Sequence, residues 1–193
     1  MICATVTLLA MSGSRNLLVN GDFKRGNQGF ASSYGLSTDL LGDGTYAIGK
    51  DPKGKHHGAC SIQDPLKRNR NMLLLNGSAT ANLSFWSETI PVEPNHTYEF
   101  HFSGASWSKN PIDGTENDMS PARIIVRING VALSAPFGLS PRAGDWSQFS
   151  IKWFSGSAKE ARIRLYDDNQ DIAGNDFAID DLFFGKIQDN HKS

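Results

Sequence analysis

Residues 97–104 read TYEFHFSG, and the order of their side chains decides the class of the fold. Tyr98, Phe100 and Phe102 fall on one side of an extended chain and Glu99 and His101 on the other, as a half-buried strand requires. The same period of two recurs along the chain. RIIVRING puts Ile124, Val126 and Ile128 on one face, and its Asn129-Gly130 pair supplies hairpin-turn chemistry. ARIRLYDD alternates Ile163 and Leu165 with Arg162 and Arg164. LSFWSETI, WSQFSIKWF and NDFAIDDLFF read as further strands, and MLLLNG and TYAIG as shorter ones. No segment holds a helical period for three turns. Strands in this number, without long helices or internal repeats, predict an all-β, two-sheet antiparallel sandwich, with a jelly roll as its topology.

At 193 residues the chain is long enough for one domain with a real core, and residues 15–187 are expected to form it. Lys plus Arg number 19 and Asp plus Glu 20, a net charge of −1, which removes any global electrostatic case for nucleic acid or an anionic membrane. Only Cys3 and Cys60 occur, too few for a disulfide framework. The leader MICATVTLLAMSGS (1–14) is a short apolar run followed by small residues. It reads either as the rear half of an export signal lacking its basic region, or as a disordered or strand-pairing terminus. Residues 188–193 read as a polar tail. No stretch reaches the ~18 apolar residues of a spanning helix, so membrane insertion is not expected.

Two segments look least like generic sandwich strands: NLLVNGDF (16–23) near the start and NDFAIDDLFFG (175–185) near the end. On them the chain resembles the galactose-binding-like jelly roll used by many carbohydrate-binding modules. There an N-terminal strand ending Asn-Gly-x-Phe-Glu lies beside a C-terminal strand in which an apolar residue precedes Asp-Asp or Asp-Asn. It is more specifically similar to secreted bacterial proteins, some with exosortase-type (PEP-CTERM-like) sorting tails. The resemblance extends over residues 16–30, 46–52, 71–86, 91–102, 124–130, 146–153 and 175–184. It departs at Lys24, where many such modules carry Glu, and at IQDNHKS, which is not a sorting helix with a basic tail.

The resemblance implies an exported protein, secreted or at the cell surface, acting as a non-catalytic module that binds a polysaccharide or cell-surface glycan. It also implies a structural calcium fastening the two termini. Asp22 and Asp180 are the carboxylates that would serve, with Asp176 and Asp181 near enough to substitute. Lys24 weighs against the metal, because its ammonium would pair with Asp180 and replace it.

Sugar recognition asks for flat apolar faces against pyranose C–H groups and planar polar side chains for the hydroxyls. The long irregular stretches at 49–71 and 106–121 are where such a site is expected. Trp146 and Trp153, seven apart on one strand, point to opposite faces, so at least one belongs to the core. Trp86 has apolar neighbours and reads as core. Trp107 follows a strand end and opens the polar loop SWSKNPIDGTENDMS. It is expected to be exposed and to stack on a ligand beside Lys109, the alternative being an aromatic that covers a sheet edge. The stretch 49–71 is basic, and its Lys53, Lys55, His56, His57, Lys67, Arg68 and Arg70 suit an acidic glycan such as a uronate. A solvated loop also explains such a run. Tyr34 and Tyr46 are candidate neighbours.

Other chemistries find less support. His56, His57 and Cys60, with His96 or His101, offer zinc-ligand types, but adjacent histidines diverge and no CxxC or HExxH frame accompanies them. The pairs Asp167-Asp168 and Asp180-Asp181 should face opposite sides of their strands and so cannot flank one glycosidic bond, and no GxSxG elbow occurs. A glycan hydrolase or lyase would rest on His101 or His57 as base and Tyr98 as acid. A surface structural or adhesive protein without a small ligand is a further class. It should bury its aromatics, whereas a binding module should expose Trp107 or a neighbour in a groove.

Overall fold

The structure, a computed structural model, describes residues 14–187. The leader, except Ser14, and the polar tail lie outside the described residues. Its strands are β1 (Gly35–Leu36), β2 (Thr45–Gly49), β3 (Met72–Asn76), β4 (Ser84–Pro91), β5 (Thr97–Ser106) and β6 (Arg123–Ile128). They continue with β7 (Val131–Ala132), β8 (Phe137–Gly138), β9 (Ser147–Phe154), β10 (Glu160–Asp167) and β11 (Phe177–Lys186). Every run with a period of two is a strand. The strands that the sequence does not announce, β1, β7 and β8, have two residues each and are too short to show a period.

A six-stranded sheet runs in the order β1, β2, β3, β11, β5, β9, and a five-stranded sheet in the order β4, β10, β6, β7, with β8 also on β6. Together they form an all-β, two-sheet sandwich of the jelly-roll type. The alternate residues of TYEFHFSG behave as expected: Tyr98, Phe100 and Phe102 enter the core between the sheets, where they meet Trp86, Ile124, Val126, Ile163, Leu165, Phe177 and Phe184. Each such side chain withdrawn from water contributes about 1.5–3 kcal/mol. At the β6–β7 hairpin Asn129 (φ 52) and Gly130 (φ 84) are both left-handed, which matches the twist of the strands and sets Ile128 opposite Val131.

The first and last described segments lie side by side. Leu17 N donates to Phe184 O at 2.8 Å and Leu182 N to Gly21 O at 2.9 Å. The Asn16 side chain locks the pair, accepting from Phe184 N at 3.0 Å and donating to Leu182 O at 2.9 Å. Gly21 is required here, because a Cβ would sit 2.1 Å from the Leu182 carbonyl oxygen. Phe23 N closes a turn on Asn20 O at 3.1 Å and the Phe23 ring is fully buried, so Asn-Gly-Asp-Phe is a turn followed by a core anchor.

Opposite this seam β11 bulges. Asp180 pairs with Ser103 but Phe183 with His101, so β11 spends one residue more than β5. The extra residue reverses the alternation: Ile179, Leu182 and Phe184 all face the core, and Phe183 faces out beside His101. Asp181, at φ 51, is the residue absorbed by the bulge. Asp180 and Asp181 therefore do not face opposite sides as a regular strand would place them.

The sandwich has a third layer. On the outer side of the six-stranded sheet, Ala47 of β2, Met72 and Leu74 of β3 and Ala178 of β11 are buried under Leu40, Ala59, Ile62 and Trp107. Residues 49–71 thus fold back as a lid over half of this sheet. Cys60 N donates to Trp107 O and Lys109 N to Gly58 O, each at 2.8 Å, and Trp146 Nε1 donates to Gln63 O at 2.9 Å. All five residues of β3 are buried because the strand is covered on both faces. Trp146 packs against the lid and Trp153 against the main core, on opposite sides of the sheet as their spacing requires.

Candidate functional site

The lid corrects the central expectation for the ligand site. Trp107 is 0% exposed, its Nε1–H donates to Phe177 O at 2.8 Å, and the lid itself covers it, so it offers no stacking surface. His56, His57 and Lys109 do come together, with Lys53, Lys55 and Asp39, around a shallow cleft of about 390 Å³ above it. His56 lies 4.4 Å from His57 and 5.6 Å edge-on from Trp107, ring centre to ring centre. Its Nδ1 accepts from Gly58 N at 3.2 Å. Burial, and then the charge of His57, lower the His56 pKa against the opposing pull of Asp43. The zinc set is not gathered: no group of three or more His, Cys, Asp or Glu suited to a metal exists among the described residues. Cys60 is buried with its thiol pushed up by desolvation, and His96 stands near Glu93 instead, at 3.7 Å.

Arg70 lies elsewhere, at the seam. Its Nη2 is 3.1 Å from Asp181 Oδ1 and its Nε 3.7 Å from Asp64 Oδ1. Asp64 is a buried anchor that accepts from Leu66 N, Arg68 N and Arg70 N at 3.2, 2.8 and 3.1 Å. These bonds outweigh its burial and hold its carboxyl below the usual range. Asp180 is desolvated and pushed up to about 7, with Asp181 adding to the rise and Arg70 opposing it. Lys24 pairs with Asp22 rather than with Asp180.

The expected calcium ligands are therefore not assembled as a set. A guanidinium already stands among the seam carboxylates, and Asp176 belongs to the far end of β11. There it accepts from Ser108 Oγ at 2.6 Å and Gly77 N at 3.1 Å. The residues present do not fit a calcium centre built on Asp22, Asp176 and Asp180.

Tyr34, expected beside the loops, is 5% exposed and packs edge-on against Phe85 in the main core. Near it, at the end of the sandwich, three buried carboxyls cluster beneath the connections before β6 and β11. Burial pushes Asp118 and Asp167 up to about 6 and Asp176 up to about 7. Asp118 Oδ2, Asp167 Oδ2 and Asn175 Oδ1 have no hydrogen-bond partner among the described residues.

The five-stranded sheet carries a surface that sequence reasoning missed. With Ile163 and Leu165 in the core, Arg162, Arg164 and Tyr166 of β10 stand on the outer face, and the Arg127 guanidinium of β6 lies 4.8 Å over the Tyr166 ring. Two hollows, of about 470 and 400 Å³, adjoin at Arg162 and Arg164 and form a groove running from Arg127 and Lys159 to Ser87 and Thr89 of β4. Arg162 Nε donates to Glu160 Oε1 at 2.7 Å. Arg127 and Arg164 have no carboxylate partner among the described residues. The signal was present in the polar half of ARIRLYDD, whose period was read for its apolar half.

No family model matches the chain, and no curated protein matches it. Solved structures do. The module TmCBM61, determined with β-1,4-galactotriose, superposes with a TM-score of 0.55 at 17% identity, covering 90% of this chain and 99% of that one. The fold is that of a carbohydrate-binding-module sandwich. The CBM22-1 xylan-binding domain of Paenibacillus barcinonensis Xyn10C gives 0.53 at 13% identity over 91% and 96%. The enzymatically active domain of bacteriophage CBA120 tailspike protein 4 gives 0.52 at 15% identity over 89% of this chain, which spans only 21% of that protein. At these identities the likeness is one of fold.

Proposed function

We propose that the protein is a non-catalytic carbohydrate-binding module that holds an acidic polysaccharide in the arginine groove of its five-stranded sheet. On the resemblance of its terminal segments to exported bacterial proteins, it works outside the cell, at a surface or on a secreted glycan. The observation that carries this reading is the pair Arg127 and Arg164, which project into an open groove without carboxylate partners. A guanidinium presents its donors in a planar fork matching a carboxylate, and its flat face covers apolar surface as an aromatic would. Tyr166 is 8% exposed and supports Arg127 from below rather than stacking on a ligand. A uronate chain suits such a groove better than a neutral one.

A hydrolase needs a carboxyl that stays protonated and a second that is free to act. Asp118, Asp167 and Asp176 line neither the groove nor the lid cleft. Glu88, raised by burial, does line the groove, but its Oε1 accepts from Val19 N at 3.1 Å. The groove's other carboxylate, Glu160, is paired with Arg162, which leaves no second carboxyl there free to act. Asp22 at the seam is drawn upward by burial, yet its Lys24 contacts outweigh this and keep it low.

Titration of the protein with polygalacturonate and with neutral galactan, at low and moderate salt, tests the reading. Polygalacturonate should bind and weaken with salt, and the Arg127→Ala/Arg164→Ala double variant should lose at least about tenfold, equivalent to about 1.4 kcal/mol. Release of no reducing ends is expected. Absence of polygalacturonate binding, or equal affinity in the double variant, overturns the groove.

A further inference from the structure

The geometry points to a second glycan subsite at the seam of the two chain ends, on the opposite sheet from the arginine groove, shaped for a neutral sugar ring. It rests on the glycan-binding reading for the class of its ligand but not for its place. A cleft of about 530 Å³ opens there, lined by Asn16, Asp22, Arg70, His101, Asp181 and Phe183 among others. The lid reaches it only through Arg70, and past the buried pairs Ala178–Ala105 and Asp180–Ser103 the outer side of the six-stranded sheet opens at His101 and Phe183.

Its floor is aromatic. His101 and Phe183 stack face to face, with ring centres 4.7 Å apart and planes 11° from parallel, both half-buried, so each covers one face of the other and the stack borders the cleft. Only the bulge of β11 places Phe183 on this face, because a regular strand would turn it inward. Gly185, next on the same face, leaves the ring its space: a Cβ there would lie 2.5 Å from Phe183 Cζ. Burial lowers the His101 pKa against the pull of Glu99 and Asp181, which favours the uncharged ring. The uncovered side of such a stack suits the C–H face of a pyranose.

The rim is a donor beside acceptors. Arg70 and Asp181 meet at 3.1 Å with side chains 17% and 28% exposed, and Asp22 stands nearby at 35%. Each sugar hydroxyl both donates and accepts, so a guanidinium next to a carboxylate satisfies two vicinal hydroxyls at once. Hydrogen bonds to charged groups are the stronger kind. Arg70 faces two carboxylates, Asp181 and Asp22, on this rim, and Lys24 balances Asp22, so no cation is left over for a uronate and a neutral sugar is favoured.

The test is an amide-resolved NMR titration of the full chain with galactotriose, xylotriose and trigalacturonate. The neutral trisaccharides should move the amide signals of Gly21, Asp181 and Phe183. His101→Ala and Phe183→Leu should each weaken that binding about tenfold, with core signals unchanged as proof of folding. Arg127→Ala/Arg164→Ala should leave it as it is. Seam signals that stay still with both neutral sugars, or folded His101→Ala and Phe183→Leu proteins that titrate like the parent, overturn the subsite. Failure of the groove is a separate result: trigalacturonate would then not bind, while the seam still answered neutral sugars.

Discussion

Arg70 Nη2 lies 3.1 Å from Asp181 Oδ1 where the first and last segments of the chain meet. Asp64, 1% exposed, holds the same guanidinium from the other side, and the charges of Asp180 and Asp181 raise its pKa despite its burial. The side chain acts as a fixed internal cation. Arg70→Ala leaves these carboxylates without their counter-charge and should cost about 3 kcal/mol, read from urea unfolding. Millimolar calcium and a chelator should give the parent protein the same melting temperature. A fall on chelation would mean that a metal, and not Arg70, fastens the ends.

Trp107 is a structural residue on this geometry. Trp107→Ala should cost about 3–5 kcal/mol, since it empties the space between lid and sheet and leaves Phe177 O without its donor. Trp107→Phe should cost less. Glycan affinity of the folded Phe variant should equal that of the parent, and a selective loss of binding would return Trp107 to the ligand site.

Stability should fall as pH rises from 5 to 8. Asp118, Asp167, Asp176 and Asp180 have folded values of about 6, 6, 7 and 7, raised chiefly by burial. Between about pH 4 and 7 the folded chain keeps protons that the unfolded chain releases, so their stabilisation is complete below the ordinary carboxylate range and lost as pH climbs through the folded values. Asp22 and Asp64 are shifted downward and act oppositely, but they lose their contribution only as pH falls below about 4, outside this window. His56 and His101, lowered by burial, oppose the fall inside it up to the ordinary imidazole value of about 6.5, two groups against four raised carboxyls. The urea midpoint should drop by the equivalent of at least about 1 kcal/mol from pH 5 to 8, and Asp118→Asn should flatten the slope. A midpoint that is level or rises would contradict the assignment.

Strand identity was legible because alternation is a local property. Each residue's side follows from its own position on a pleated chain, so TYEFHFSG, RIIVRING and ARIRLYDD read correctly without their partners. The adjacency of NLLVNGDF and NDFAIDDLFFG came from their resemblance to a known pattern, and the contact between Gly21 and Leu182 gives its physical reason. The opposite placement of Trp146 and Trp153 followed from an odd spacing alone.

What alternation cannot say is whether the second face of a strand meets water or another segment. That depended on residues 49–71, distant in sequence from Trp107 and Ala178, folding over the outer sheet, and the uniformly apolar MLLL was the one local trace of it. The bulge in β11 likewise arises from pairing with β5, and it alone decides that Phe183 faces His101 while Asp180 and Asp181 share one cation. The chain by itself determined its strands, its class and the meeting of its ends. Tertiary packing decided which aromatic is hidden, which arginine is held at the seam and which are left facing outward, because burial of a side chain is set by what lies across from it.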